Sequence, residues 1–208
     1  MQTTAQLTQN YINEHPYIKN CLKKGLINYS SLARLIAKDL GIEKKSSKEA
    51  ILVAARRTQE KIANECLDQD IGNLLKNSET EIKNKISVFI LEKNIRSETL
   101  ESIQLQIRKE GGLSYLLEGS ENYTIITQNK FASIIKKRLR EKILRENADM
   151  VLINIKCPKE IERVCGVISY LTSIFSENGV NIYEFISCWT DTIFIIDSND
   201  LAKVLPLI

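Results

Sequence analysis

Near residue 83 the hydrophobic period of this chain changes from helical to alternating, and no other feature constrains its fold as much. From there to residue 208, β-branched runs and amphipathic helices follow one another in an order that occurs twice. In the first copy, residues 86–90 read as a strand, 97–109 as a helix stopped by Gly111-Gly112, and 113–117 and 123–127 as two further strands. A helix from Phe131 to about Glu146 closes it. In the second copy, residues 150–155 form the strand, and Val167, Leu171, Ile174 and Phe175 mark one face of a helix that Asn178-Gly179 stops. Residues 180–186 then alternate, Trp189-Thr190-Asp191 turns the chain, 192–196 is a β-branched and aromatic run, and residues 197–200 can cap a last helix. Each copy is β-α-β-β-α, and residues 124–135 lie on 194–205 without a gap. The fold class is therefore α+β.

Three strands per copy leave each sheet one short of the four in a ferredoxin-like unit. Strand 149–157 can close the first unit and open the second, or the units can pair edges within the chain or with another chain. A homodimer is the expected assembly.

The segments GVISYLTSIFSENGVNIYEFIS and TDTIFIIDSNDLAKVL resemble ACT domains, the small regulatory modules appended to aspartate kinases and other amino-acid-pathway proteins. The resemblance implies two ferredoxin-like, ACT-type βαββα units that assemble side by side. It also implies a small ligand, often an amino acid, held near the loop into the first helix and the glycine turn after it. On this chain those positions are Cys165, Gly166 and Val167, and Asn178, Gly179, Val180 and Asn181. Free N–H groups at a helix start suit a carboxylate, and asparagine and backbone oxygens suit an ammonium. A purely structural ACT pair is the alternative.

The first third has different chemistry. Pro16, Gly25, Gly41 and the polar stretch 43–47 separate three short helices. Residues 28–30 cap a helix with Leu32, Leu35, Ile36 and Leu40 on one stripe, and Ser46 with Glu49 forms a capping box for the next. That next helix turns Ile51, Ala55, Thr58 and Ile62 inward and Glu49, Val53, Arg56, Arg57 and Glu60 outward. The segment NYSSLARLIAKDLG resembles the first helix of a helix-turn-helix. Residues 1–64 hold eleven Lys and Arg against five acids, a net of +6, whereas the whole chain carries +3. A basic head on a mildly acidic body suits duplex DNA as a partner, with Lys44, Lys45, Lys48, Arg56 and Arg57 as the candidate contacts. A dimerisation or docking domain is the competing reading.

Composition excludes several classes. No run of 18 apolar residues and no leader-like amino terminus occur, so the expected location is cytoplasmic, without a membrane partner. The five cysteines (21, 66, 157, 165 and 188) form no Cys-x-x-Cys pair, which argues against a disulfide framework or a zinc site. His15 is the only histidine, and Gly111-Gly112 lacks the Lys and Ser/Thr of a phosphate loop, so no metal, cofactor or catalytic role is expected. The basic run at 136–145 reads as a solvated helix face. The sequence thus describes a helix-turn-helix-like domain at 1–65, a linker at 66–82, and ACT-like units at 83–147 and 148–208. The expected function is an amino-acid-responsive transcriptional regulator. The alternative is a regulatory or assembly subunit of a biosynthetic enzyme that binds no DNA.

Overall fold

A computed structural model describes residues 2–62 and 68–208 and divides between Cys66 and Leu67 into two units. The first contains α1 (Thr4–Glu14), α2 (Pro16–Lys23), α3 (Tyr29–Asp39) and α4 (Lys48–Ile62), with no strand among its described residues. Four helices stand where three were expected. The additional one, α1, begins at a capping box in which the Thr3 hydroxyl accepts from the Gln6 N–H and the Gln6 side chain accepts from the Thr3 N–H. Its sequence hides it, because one buried position is Thr8, whose hydroxyl donates to the Thr4 carbonyl. Ile12, Leu22, Leu32, Ile36, Ile51, Ala55 and Ile62 make the core. The Tyr11 hydroxyl donates to Asp39 at 2.6 Å and ties α1 to α3; burial, then the carboxylate, push its pKa up to about 12. Ser47, not Ser46, accepts from the N–H of Ala50 at the start of α4, while the Ser46 hydroxyl bonds that of Thr4 at 2.8 Å.

The second unit begins with α5 (Asp68–Lys76), followed by β1 (Glu79–Glu92), α6 (Ser97–Lys109), β2 (Ser114–Glu118), β3 (Asn122–Gln128) and α7 (Ala132–Leu139). It continues with β4 (Ile143–Lys156), α8 (Val167–Glu177), β5 (Ile182–Cys188), β6 (Asp191–Asp197) and α9 (Leu201–Val204). The six strands form one antiparallel sheet in the order β2-β3-β1-β4-β6-β5. Its two central strands are each 14 residues long, more than twice the common strand length. Residues 86–92 of β1 pair with β3 and with the first half of β4, whereas residues 79–83 pair with 152–156. On β4, β6 pairs only with residues 150–156. Each long strand therefore serves both halves of the sheet.

Where the halves join, each long strand bulges. Between the pairs Lys83–Leu152 and Ile86–Met150 the extra residue is in β1; between Ile86–Met150 and Val88–Asn147 it is in β4. Lys85 and Asp149 take the left-handed conformation there, at φ 57° and 56°. The Asp149 carboxylate accepts from the Asn129 amide, whose oxygen accepts from the Ser87 hydroxyl at 2.8 Å.

Alternation assigns the faces. Phe89, Leu91 and Ile125 pack under α6 and α7, and Val151, Ile153, Phe194 and Ile196 under α5, α8 and α9. The intervening residues Ile86, Val88, Ile126, Met150, Leu152, Ile193 and Ile195 form a third cluster on the opposite face. Among the described residues no helix packs on this cluster, and the sheet closes on itself instead. Glu184 of β5 hydrogen-bonds Thr124 of β3, four strands away, a separation of roughly 19 Å in a flat sheet. The sheet is rolled so that its halves face each other.

Several expectations change. The segment assigned as linker, 66–82, carries α5 and the start of β1; Ile71, Leu74 and Ile82 belong to the C-terminal core. Cys66 and the expected boundary after residue 65 lie outside the described residues. The helix placed at 131–146 ends at Leu139, and a strand begins at Ile143. By their strand ends and helix starts the two copies align with Ile125 on Phe194 and Ile135 on Val204, one residue from the gapless alignment; a slip of one exchanges the two faces of a strand. Gly112 does more than stop a helix. A Cβ there would lie 2.2 Å from Phe131 and 2.6 Å from Ile107, so the close approach of Phe131, in the turn before α7, to the end of α6 requires glycine.

Candidate functional site

Helix α8 carries the expected ligand positions at its two ends. Gly166, at φ 89°, precedes its first turn, with Cys165 exposed and Val167 buried in the core. At the other end Asn178 closes the helix by donating to the Ile174 carbonyl at 2.8 Å, Gly179 takes φ 66°, Val180 is buried, and Asn181 is exposed. Eleven helical residues separate the two groups, on the order of 16 Å, so one chain does not bring them together. The start of α8 also has a neighbour from another helix. Ile71 of α5 stands 3.6 Å from the place a Gly166 Cβ would take. Sequence reasoning missed α5, although Ile71, Leu74 and Leu75 have the spacing of an amphipathic turn.

A polar group lies on the helix-free face at one end of the sheet. Opposite pairing puts Glu81 beside Asn154, and the Asn154 amide donates to Asp191 at 2.7 Å. The Asn154 Oδ1 has no hydrogen-bond partner among the described residues, although the residue is only 6% exposed. Lys83 pairs with Glu81 at 3.1 Å. Tyr115, from the far edge strand, faces this group: burial raises its pKa, Lys83 lowers it, and Asp191 and Glu81 raise it. Carboxylate and amide oxygens arranged in this way accept from an ammonium or from water. Nothing in the local sequence marks the group, because it assembles only when the sheet rolls.

All five expected DNA contacts, Lys44, Lys45, Lys48, Arg56 and Arg57, are exposed. On α4 the inward and outward residues fall as the periodicity indicates, and the Arg56 guanidinium sits 5.4 Å from the centre of the Tyr29 ring. The connection between α3 and α4 departs from a helix-turn-helix. It runs from residue 40 to 47, where that motif uses a turn of about three or four residues. The basic run at 136–145 finds partners within its own unit: Lys136 pairs with Glu146 at 2.9 Å, Lys142 with Glu92 at 3.0 Å, and Arg138 donates to Ser102 at 2.7 Å. His15 stacks on Tyr11 between α1 and α2. Among the described residues, no group of three or more His, Cys, Asp or Glu side chains could hold a metal, and no helix is long and apolar enough to cross a membrane.

No family model and no curated protein matches the chain. Solved structures do match it. The aspartate kinase of Clostridium acetobutylicum, an allosteric enzyme, aligns at a TM-score of 0.50 with 16% identity over 61% of this chain and 32% of that one. The regulatory subunit of aspartate kinase from Thermus thermophilus, in its ligand-free form, aligns at 0.48 with 11% identity over 61% of this chain and 90% of its own. Aspartokinase III of E. coli, in complex with aspartate and ADP, aligns at 0.46 with 9% identity over 61% and 31%. The chain thus spans about a third of the length of the Clostridium kinase. At these identities the likeness shows the fold alone: a mixed α/β chain with a curled antiparallel sheet of the ACT regulatory type, as the sequence resemblance implies.

Proposed function

We propose that this chain is a regulator in which the C-terminal unit senses a small molecule of the amino-acid class and the N-terminal helices deliver the response. The observation that carries the reading is the sharing of β1 and β4 between the half-sheets. We read the first half, β1-α6-β2-β3-α7-β4, as one ferredoxin-like ACT-type unit. The second, β4-α8-β5-β6-α9, is completed by residues 79–83. A ligand held by either unit then acts on strands that belong to both. The edge strands β2 and β5 offer unpaired backbone to a second copy, so a homodimer is part of the proposal. In such a dimer the α8 ends of Cys165–Val167 and Asn178–Asn181 contribute to a ligand site shared with a neighbouring unit.

The N-terminal unit, in this reading, contacts duplex DNA through Arg56 and Arg57, with Lys44, Lys45 and Lys48 on phosphates. A second reading has its own support. Tyr17 and Leu26 are 72% and 74% exposed, Val53 shares the outward face of α4, and the 40–47 connection is long, which suits docking onto a protein. Two measurements test the proposal. A thermal-shift screen of the full chain against the twenty amino acids should show a ligand-dependent rise, about 2.7 kcal/mol at 100 times the dissociation constant. Binding to duplex DNA should lose roughly 0.9 of logarithmic salt slope per phosphate contact when Arg56 and Arg57 become Ala. No salt-steep DNA binding by the wild-type chain would overturn the DNA role and leave the docking reading.

A further inference from the structure

On the helix-free face of β4, Asn154 is 6% exposed and only half of its amide is used. Its Nδ2 donates to Asp191 of β6 at 2.7 Å, and because a carboxylate can only accept, that contact fixes which arm is nitrogen. The arms of a carboxamide diverge, so Oδ1 is turned away from β6, to the side of Glu81, its partner residue on β1. No donor reaches Oδ1 among the described residues. Lys83, on the same face, gives its ammonium to Glu81 at 3.1 Å and not to Asn154. Tyr115 joins the group from the far edge strand. Glu79 and Lys156 oppose each other one step further out, so three acids (Glu79, Glu81 and Asp191) meet two lysines. α5, α8 and the last residues of the chain pack on the opposite face of the sheet and contribute nothing here.

We infer that this group binds the primary ammonium of a small molecule. An ammonium carries three donors, and Asn154 Oδ1, Glu81 and Asp191 are three acceptors on adjacent strands that have no proton to give. Water brings two donors and no charge, which leaves one acceptor unserved and the excess acid uncompensated. An anion would meet acceptors alone. A buried acceptor without a partner costs stability, which sets this group apart from the surface ion pairs elsewhere on the chain. Lys83 is the protein's own competitor: at 38% exposure it reaches Glu81 from the solvent side, and it gives way when the ligand's ammonium enters. Tyr115 is the aromatic neighbour that such a cation favours. An ammonium arrives on an alkylamine or as the α-amino group of an amino acid, and the acceptors serve both. The site stands independently of the regulatory reading and is distinct from the ends of α8, which pack across the sheet.

Isothermal titration of the full chain with 3-methylbutylamine, its N-trimethyl derivative, 3-methylbutan-1-ol and leucine tests the inference. The amine should bind, and the trimethyl cation and the alcohol about tenfold more weakly, the scale of one charge-assisted hydrogen bond. Asn154→Leu should remove the advantage of the amine over the trimethyl cation; a leucine there joins Leu152 and Ile193 on the same face, which keeps the fold. Glu81→Gln, at a half-exposed position, should weaken the amine about fivefold in a chain that melts as the wild type does. Lys83→Met should tighten the amine, whereas a purely structural pair with Glu81 would give no gain. Leucine bound with the same dependence on Asn154 would identify an amino acid as the source, and leucine refused beside a bound amine would identify a simple amine; both outcomes support the site. Absence of heat with the amine at millimolar concentration, equal affinity for the amine and its trimethyl derivative, no gain in Lys83→Met, or amine binding unchanged in both Asn154→Leu and Glu81→Gln would each overturn it. An amino-acid screen without a response would refute the sensing proposal and leave this site to the amine.

Discussion

Ile82 separates a linker from a strand. As part of a connecting segment it would be dispensable, but it pairs with Ile153 and packs on the core shared by α5, α8 and β6. Ile82→Ala removes three methylene-sized groups, worth about 2.4 kcal/mol if wholly buried. Ile82 is only partly buried, so the expected loss is about 1–2 kcal/mol, less the relaxation of neighbouring side chains. For a unit the size of Leu67–Ile208 that corresponds to a melting temperature lower by roughly 3–7 °C. Circular dichroism melts give the shift, and hydrogen exchange gives its location: amides of 79–83 and 152–156 should lose protection together, while those of β2 and β3 keep theirs. An unchanged melting temperature, with 79–83 exchanging freely in the wild type, would refute the sharing of β1 and the reading built on it.

Gly179 sits at φ 66° with open space around it, so Gly179→Val should lower stability by about 1–2 kcal/mol through backbone strain alone, measurable in the same melts. Burial raises the pKa of Glu184 above its ordinary 4.5, against the hydrogen bond from Thr124, which lowers it. Its contribution is therefore full below pH 4.5 and lost as the pH rises through the folded value. Glu184→Gln should flatten that part of the stability profile and be the more stable protein, relative to wild type, at neutral pH. Tyr11→Phe removes the donor to Asp39 and should cost about 1 kcal/mol in the N-terminal unit. Because the folded pKa of Tyr11 is raised from 10 to about 12, the variant should also lack the wild-type loss of stability between those pH values, visible in alkaline denaturation.

Helix α6 was legible to the residue at both ends, because its apolar spacing is bounded by a serine start and a double-glycine stop. The inward face of α4 was legible for the same reason. Strand extent was harder. Residues 79–83 alternate, but with Glu79, Glu81 and Lys83 on the other positions they look like solvated linker, and only pairing to β4 makes them a strand. β4 likewise carries Arg145, Glu146 and Asn147 in its first half. The one-residue error in aligning the copies has a clear origin: β3 and β6 are interior strands buried on both faces, so Thr-Ile-Ile-Thr and Phe-Ile-Ile carry no alternation to fix a register. The candidate site was legible only in part. Cys165–Val167 was recognisable as a helix start, yet nothing near it in sequence announces that Ile71 lies beside it.

In the regulatory reading proposed above, the long strands matter because of where they bend. Energetic coupling between two sites needs an element with alternative arrangements that both sites bias. β1 and β4 are the two elements common to both half-sheets, and at their shared bend Lys85 and Asp149 hold left-handed conformations that cost non-glycine residues on the order of 1 kcal/mol each. That cost is offset by the surroundings. Asp149 is fixed by Asn129, which sits where β3 gives way to the turn before α7 and also holds Ser87 of β1. A shift of α7 therefore reaches this bend through Asn129. Replacing Asn129 by Ala would leave Asp149 without that donor, and the bend is where its effect should be felt in both halves at once.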